Sequence, residues 1–434
     1  MKKIIASLMC VVLLMLCAAP VYAEELPAGI TSLSYFVMDA KTGAPLFGWN
    51  EDRSYDPASV TKVMTVGLAC EKAQGDWSTP LTVSHDDVHS LWNTDSSHIA
   101  LQEGEVVVLE DMLYAAMIAS ANDACNVLAE YLSEDGTIAG GVAVMNAKAQ
   151  ELGLENTHFA NPHGISEEGH YISARDLATI LRWALQQPGF YQIFTRVDTY
   201  YMDPTNRQEQ ERAFWMHDYM RLSGSGHYIP EIVGSKMGYT DEARYTYVCL
   251  AEKDGKQLIC SVMKSNMKQE KYLDTAAILD YAFQNYHSVD IPPQAGAAQV
   301  GVRGGGDVFG TVNADLGGLS ILLHNSLNEE AVTLTDTDPE YTIGGAMPQA
   351  HYQIVGGDYQ MDSVVSGPMT LTGLEEAFAH TPEQKFEQKG TADRVGTTTS
   401  LFWVLVAVAA VAVSVLWGVG RLRAGRKQLR HFTK

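Results

Sequence analysis

The sequence predicts an α/β protein: an antiparallel sheet flanked by helices, followed by a small all-β domain and a C-terminal transmembrane helix. Hairpin patterns at both ends of the first 287 residues enclose segments of helical periodicity. Short alternating strands broken by Gly, Asp and Pro then fill 288–374. Finally, an uncharged apolar run occupies 401–420.

The N-terminus, residues 1–23, has the features of a secretory signal peptide. Two lysines precede an apolar run, and the small-residue pattern Val21-Tyr22-Ala23 follows it. Because the run is shorter than the ~20 residues that cross a bilayer, we expect cleavage after Ala23.

The C-terminus predicts a membrane anchor. Residues 401–420 at ~1.5 Å each would span a hydrocarbon core of ~30 Å. The tail at 421–434 carries basic residues and no acidic residue, which predicts a cytoplasmic location. The chain would then be a single-pass protein of the cell membrane, with its main part extracytoplasmic and a polar linker at 375–400.

Charge limits the partners of the predicted outer part. Of the 30 lysines and arginines, two lie before residue 24 and six after residue 400, which leaves 22 against all 52 acidic residues. Such a surface repels nucleic acid and anionic lipid headgroups. Neither is expected as a partner.

Local patterns predict the elements of the first domain, residues 24–287. Alternating apolar residues predict hairpins at 31–50 and 243–264. Apolar residues at helical spacing predict helices at 109–132, 173–187 and 270–286.

The second hairpin predicts the pairing of two cysteines. A two-residue turn at Asp254-Gly255 would place Cys249 opposite Cys260. Directly opposed strand residues lie within disulfide reach. Both a bridge and a pair of buried thiols remain open.

Three short motifs carry the candidate chemistry, and the first is Ser59-x-x-Lys62. Pro57-Ala58 precede an apolar helical stretch, so the serine and the lysine would share one helix face. Free N–H groups at a helix N-terminus can hold an oxyanion. The pattern favours a serine nucleophile activated by a neutral lysine amine.

The second and third motifs follow in order. Ser120-Ala121-Asn122 lies between two apolar helical stretches, where a short loop would present a hydroxyl and an amide. Lys236-Met237-Gly238 begins the strand that leads to the second hairpin. There Gly238 would let a substrate backbone approach closely.

Copies of these motifs also occur where the chemistry does not fit. Ser261-x-x-Lys264 and Ser265-x-x-Lys268 lie in or just after a predicted strand, where residues three apart face opposite ways. Lys41-Thr42-Gly43 matches a hairpin turn, and Ser326-Leu327-Asn328 lies in the β domain. We interpret all four as accidental.

With these motifs, the stretches PASVTK, SANDACNVLAEYL and GYTDEA make residues 30–285 resemble the D-alanyl-D-alanine carboxypeptidases of the low-molecular-mass penicillin-binding protein family. The resemblance implies the penicillin-binding protein/β-lactamase-like fold and a small β domain after it. It implies a membrane-anchored serine D,D-carboxypeptidase that removes the terminal D-alanine from peptidoglycan stem pentapeptides. β-Lactam antibiotics would acylate it, and neither a cofactor nor a metal is expected.

The resemblance also implies the roles of the first two motifs. Ser59 would attack the carbonyl between two D-alanines and form an acyl-enzyme. Lys62 would take the proton, its pKa lowered by burial and by neighbouring positive charge. Ser120 would relay a proton to the departing D-alanine, and Asn122 would hold the substrate amide.

Substrate binding is implied for Lys236, Gly238 and Tyr239. The lysine would attract the terminal carboxylate, and the N–H of Tyr239 would share the oxyanion hole with that of the nucleophile. Met237 departs from the family pattern, in which a threonine or serine hydroxyl helps to bind the carboxylate. Losing such a hydrogen bond costs roughly 1.5–3 kcal/mol, or roughly 10- to 150-fold in rate. Arg244 is a hypothetical replacement for the missing contact.

Two alternatives are kept, and a zinc-peptidase interpretation is rejected. Met237 prompts a catalytically weak homologue that binds wall peptide or acts as a scaffold, and a β-lactamase is less favoured because no deacylating glutamate is evident. His85 and His89 are spaced as in a zinc-peptidase helix, but an aspartate replaces the glutamate and Ser84 resembles a helix cap.

Overall fold

The structure, a computed structural model, describes residues 29–372 apart from 95, 305–306 and 358–359, and also residue 27. The predicted signal peptide, linker, transmembrane helix and tail lie outside the described residues. Within the described part, no helix is both long and apolar enough to cross a bilayer.

The described α-helices all precede residue 286. They are α1 (Lys62–Ala73), α2 (His85–His89), α3 (Leu109–Ile118), α4 (Asn122–Leu132), α5 (Ile138–Glu151), α6 (Ala174–Ala184), α7 (Phe190–Phe194) and α8 (Lys268–Asn285).

The described strands occur throughout the chain. They are β1 (Ser34–Asp39), β2 (Pro45–Trp49), β3 (Pro80–Thr82), β4 (Val106–Val108), β5 (Tyr200–Met202), β6 (Arg212–Phe214), β7 (Ile232–Thr240), β8 (Arg244–Lys253), β9 (Lys256–Ser265), β10 (Tyr286–Ile291), β11 (Gln294–Gly304), β12 (Asp307–Leu316), β13 (Leu319–His324), β14 (Val332–Thr337), β15 (Glu340–Thr342), β16 (Gln349–Ile354) and β17 (Ser363–Thr372).

A five-stranded antiparallel sheet in the order β2-β1-β9-β8-β7 organises the part of the chain that holds the motifs. Side chains alternate between its faces. Val248 and Leu250 therefore join one apolar core, while Tyr247 and Cys249 join the other. The first core contains α1, α3, α4 and α6, and the second contains α8. The antiparallel sheet flanked by helices is confirmed, with β7 at an edge.

The turn between β8 and β9 has the predicted form. Asp254 and Gly255 both have positive φ, 50° and 79°, as a tight two-residue hairpin turn requires. The register places Cys249 opposite Cys260, as predicted. Both residues are buried free cysteines in the structure.

Local backbone conformation determines where the helices that carry the motifs begin and end. A 3-10 turn over 58–61 leads directly into α1. The predicted helical segment 109–132 is split into α3 and α4, because Ser120 between them has a left-handed backbone, φ 56°. This break brings the Ser-x-Asn motif to a loop.

After α8 the described chain is built of strands, with one 3-10 turn at 329–331. Strands β10 and β13 form an antiparallel pair. A six-stranded sheet has the order β14-β16-β17-β12-β11-β15. The predicted all-β character of this segment agrees with these sheets.

Candidate active site

The structure brings the first motif together at the start of α1. Ser59 lies in the 3-10 turn and Lys62 is the first residue of the helix. The Lys62 Nζ is 2.9 Å from the Ser59 Oγ. The serine is half-buried and the lysine is 0% exposed, so the amine contacts the hydroxyl from inside the protein.

Two further acceptors surround the Lys62 ammonium. The Asn122 Oδ1 lies at 2.7 Å and the main-chain carbonyl oxygen of His163 at 2.5 Å. Burial lowers the pKa of Lys62 to about 8, while the Cys125 and Asp123 groups act in the opposite direction. The second cause proposed from sequence, neighbouring positive charge, is present in the site, since the charges of Lys62 and Lys236 repel each other. Lys62 is still prepared to act as a base near neutral pH.

The second motif connects both lysines. The Ser120 Oγ accepts a hydrogen bond from the Lys236 Nζ at 2.9 Å. The Asn122 amide oxygen accepts from Lys62 in the same way, at the first turn of α4. The Asn122 N–H donates to the carbonyl of Ser97 at 2.8 Å, which ties the motif to the preceding segment.

The third motif occupies the edge strand β7. Lys236 is buried on the face that holds Val248, and burial and then the charge of Lys62 lower its pKa to about 7. Gly238 lies against the nucleophile, since a Cβ there would be 2.6 Å from the Ser59 backbone nitrogen. Glycine is therefore required at position 238 because the backbone of Ser59 leaves no room for a Cβ. This reason adds to the one predicted from sequence, which was the close approach of the substrate backbone. Tyr239 is 48% exposed.

Met237 lies beside a buried cation that sequence reasoning missed. Its Sδ is 3.5 Å from the Nζ of Lys271, which is on α8 and only 1% exposed. Burial lowers the pKa of Lys271 to about 8, and the ammonium lies 5.1 Å and 4.6 Å from the ring centroids of Tyr247 and Tyr272. The sequence did contain a signal for this buried lysine. Lys271 lies four residues before Thr275, on the face of α8 that is buried.

One cavity of about 600 Å³ joins these groups. Its walls include both Met237 and Lys271, and Arg244 is not among the lining residues. The predicted site residues on its surface are Ser59, Ser120, Lys236, Gly238 and Tyr239. Lys62 and Asn122 lie behind this surface. Lys62 donates a hydrogen bond to the Ser59 hydroxyl on the surface and another to the Asn122 amide oxygen.

A buried carboxylate supports the base of β7, and it too was missed. The Asp218 Oδ2 accepts hydrogen bonds from the hydroxyls of Ser235 at 2.5 Å and Tyr247 at 2.7 Å. Ser235 directly precedes Lys236 in the strand. The network fixes the strand that carries the third motif.

The motif copies interpreted as accidental have other structural roles. Ser261 is buried in β9 and its hydroxyl donates to the Ala174 carbonyl at 2.6 Å. Lys41-Thr42-Gly43 forms the turn between β1 and β2, with Gly43 at φ 80°. These positions provide ordinary turn and core contacts.

A serine hydroxyl in contact with a buried lysine amine is typical of a class of serine hydrolases. The profile of the D-alanyl-D-alanine carboxypeptidase family matches residues 21–267, more than half of the chain. The chain therefore belongs to this family and is a serine-type D-Ala-D-Ala carboxypeptidase.

Individual relatives agree with this assignment. D-alanyl-D-alanine carboxypeptidase DacF of Bacillus subtilis is 32% identical over 296 residues, which cover 66% of this chain and 72% of the relative. Penicillin binding protein 5 of Haemophilus influenzae is similar in structure, with a TM-score of 0.58 and 25% identity, covering 80% of this chain and 98% of that one. The Streptomyces K15 DD-transpeptidase has a TM-score of 0.53 and 25% identity, covering 59% and 98%.

Proposed function

We propose that this protein is a membrane-anchored serine D,D-carboxypeptidase that removes the terminal D-alanine from peptidoglycan stem pentapeptides. The observation that carries the proposal is the 2.9 Å contact between the Lys62 Nζ and the Ser59 Oγ inside a buried environment. An amine whose pKa is lowered to about 8 is available as a base near neutral pH.

In acylation, the Ser59 Oγ attacks the carbonyl carbon between the two D-alanines while its proton passes to Lys62. The new C–O bond forms and the C–N bond then breaks. The departing amine receives the proton that Lys62 took, relayed through the Ser120 hydroxyl, which also accepts a hydrogen bond from Lys236 at 2.9 Å. Water hydrolyses the ester and regenerates the serine.

Two features of the cavity suit the charges of this reaction. The N–H groups of Ser59 and Tyr239 would stabilise the oxyanion, since Gly238 lets β7 approach the nucleophile closely. Lys236 and Lys271 border the same cavity and would attract the terminal carboxylate of the substrate. Lys271 is a better candidate than Arg244 to compensate for the hydroxyl absent at position 237.

The same nucleophile would open a β-lactam ring and keep the resulting acyl group, so β-lactam antibiotics are proposed ligands. Membrane attachment is proposed from residues 401–420 and the basic tail after them. Fractionation of cells that express the chain with and without residues 401–434 tests the anchor. A full-length protein found only in the soluble fraction would contradict it.

The central experiment follows intact mass after adding benzylpenicillin, together with D-alanine release from a stem pentapeptide. We expect a penicilloyl adduct and D-alanine release, and both should be lost in Ser59→Ala. The matched control is Ser326→Ala, which removes the exposed serine of an accidental motif.

The outcomes separate the alternatives. An adduct without D-alanine release would favour the weak homologue prompted by Met237. Sustained hydrolysis of penicillin would favour a β-lactamase. No adduct on the folded protein would overturn the acyl-enzyme proposal.

A further inference from the structure

A group of potential metal ligands lies outside the cavity described above. His85 and His89 are on α2, and Glu103 is in the turn before β4. One ligand atom from each side chain lies within 4.8 Å of the other two. We propose that these three side chains form a surface Zn²⁺ site.

The donor set fits this cation. Two imidazoles and one carboxylate are ligands that zinc binds at ~2.0–2.2 Å, and imidazole suits the borderline divalent metals. Histidines four residues apart project from one side of a helix, and the two rings are parallel with centroids 3.8 Å apart. Both side chains reach solvent, so rotation about χ2 can turn one nitrogen of each ring towards a shared ion.

A neighbouring carboxylate selects the nitrogen that would bind. The Asp86 Oδ1 is 3.2 Å from the Nδ1 of His85. An Nδ1–H that donates to this oxygen leaves Nε2 with a free lone pair, which is the usual arrangement around a zinc-bound histidine. Glu103 makes no salt bridge with any other described residue, so its charge is available to the cation.

The proposed site has a role other than peptide hydrolysis. None of its three side chains lines the cavity that contains Ser59. Aspartate also takes the place of the glutamate that serves as general base in zinc peptidases. Three protein ligands leave at least one coordination position for water.

In the sequence, the proposed ligands flank a segment that supports the second catalytic motif. Between His89 and Glu103, the Ser97 carbonyl accepts from the Asn122 N–H at 2.8 Å. The N–H groups at 99 and 101 donate to the carboxylate of Asp123 at 3.1–3.2 Å. A metal that connects α2 to the turn before β4 would hold both ends of this segment.

The test measures Zn²⁺ binding to full-length protein purified in detergent without a polyhistidine tag and stripped with a chelator. We expect one tight equivalent per chain, and slower amide exchange at positions 99 and 101 after Zn²⁺ addition. Loss of an outer-shell partner alone costs about 10- to 100-fold in metal affinity. The double variant His85→Gln/His89→Gln should therefore bind at least about 100-fold more weakly.

Two further variants make the assignment specific. Glu103→Gln should also weaken binding, whereas His98→Gln, an exposed histidine of the same segment outside the cluster, should bind as the native protein does. Unchanged affinity in the double variant, or equal loss in His98→Gln, would overturn the site. Penicillin acylation of the chelated protein is a separate readout, so a failure here and a failure of the proposed function are distinguishable.

Discussion

The protonation state of Lys62 gives the most direct test of the site. If this amine is the base, the limiting rate of acylation by benzylpenicillin should follow its neutral fraction. A lysine is charged below its pKa, so the rate should rise with pH and level off above about 8.

The size of the effect follows from burial. With a pKa of about 8, about one Lys62 in eleven is neutral at pH 7. With the ordinary value of 10.5, about one in 3,000 would be neutral. Burying this amine should therefore increase the active fraction by about 300-fold.

Lys236 affects a different kinetic constant. Burial and the charge of Lys62 lower its pKa to about 7, so its attraction for a carboxylate should weaken as pH rises. A bound carboxylate favours the charged amine. The limiting rate should thus report Lys62, whereas the second-order rate constant should also fall at alkaline pH.

The assay is stopped-flow acylation at saturating benzylpenicillin between pH 6 and 10, carried out on the native protein and on Asn122→Asp. A carboxylate 2.7 Å from the Lys62 Nζ would raise the pKa of the lysine and move the rate profile to higher pH. A flat native profile from pH 6 to 9 would refute the reasoning. A rate that still rises tenfold per pH unit above 9 would refute it as well.

Three other perturbations have definite expected results. Met237→Thr restores a hydroxyl and should raise kcat/KM on a D-Ala-D-Ala peptide by roughly 10- to 150-fold; an equal gain in Met237→Val, which adds no hydroxyl, would contradict the hydrogen bond. Gly238→Ala places a methyl group 2.6 Å from the nucleophile's backbone nitrogen and should slow acylation about 100-fold without unfolding, measured beside Gly226→Ala, where nothing lies within 4 Å. Cys249 and Cys260 are free thiols in the structure, so both should be alkylated when the protein is unfolded without reductant. Peptide mass spectrometry that finds the two cysteines linked by a disulfide would contradict this expectation.

Local sequence chemistry predicted much of the fold. The Asp254-Gly255 turn determined the register of β8 and β9 because a two-residue loop leaves no other pairing. Ser-x-x-Lys spacing could be separated from its copies because only Ser59 and Lys62 belong together to one helical start. In the copy Ser265-x-x-Lys268 the lysine begins α8, but the serine ends strand β9. In the same way, Ser120 was expected in a loop between two helices, and the structure has it there.

The rest of the site depends on contacts between distant parts of the chain. The His163 carbonyl reaches Lys62 across 101 positions, and a main-chain oxygen carries no residue-specific pattern. Lys271 approaches Met237 only because α8 packs across the second face of the sheet. Ordinary helical periodicity hides such a lysine among apolar neighbours.

The three contacts of Lys62 also determine the direction in which the Ser59 hydroxyl points its hydrogen. An ammonium donates three hydrogen bonds, and its partners here are an amide oxygen, a carbonyl oxygen and a hydroxyl. A neutral amine keeps two N–H groups and gains one lone pair, so one of the three contacts must reverse its polarity. The oxygens of Asn122 and His163 can only accept. Only the hydroxyl of Ser59 can turn its hydrogen towards nitrogen, so deprotonation of the lysine itself aims the nucleophile's proton at its acceptor.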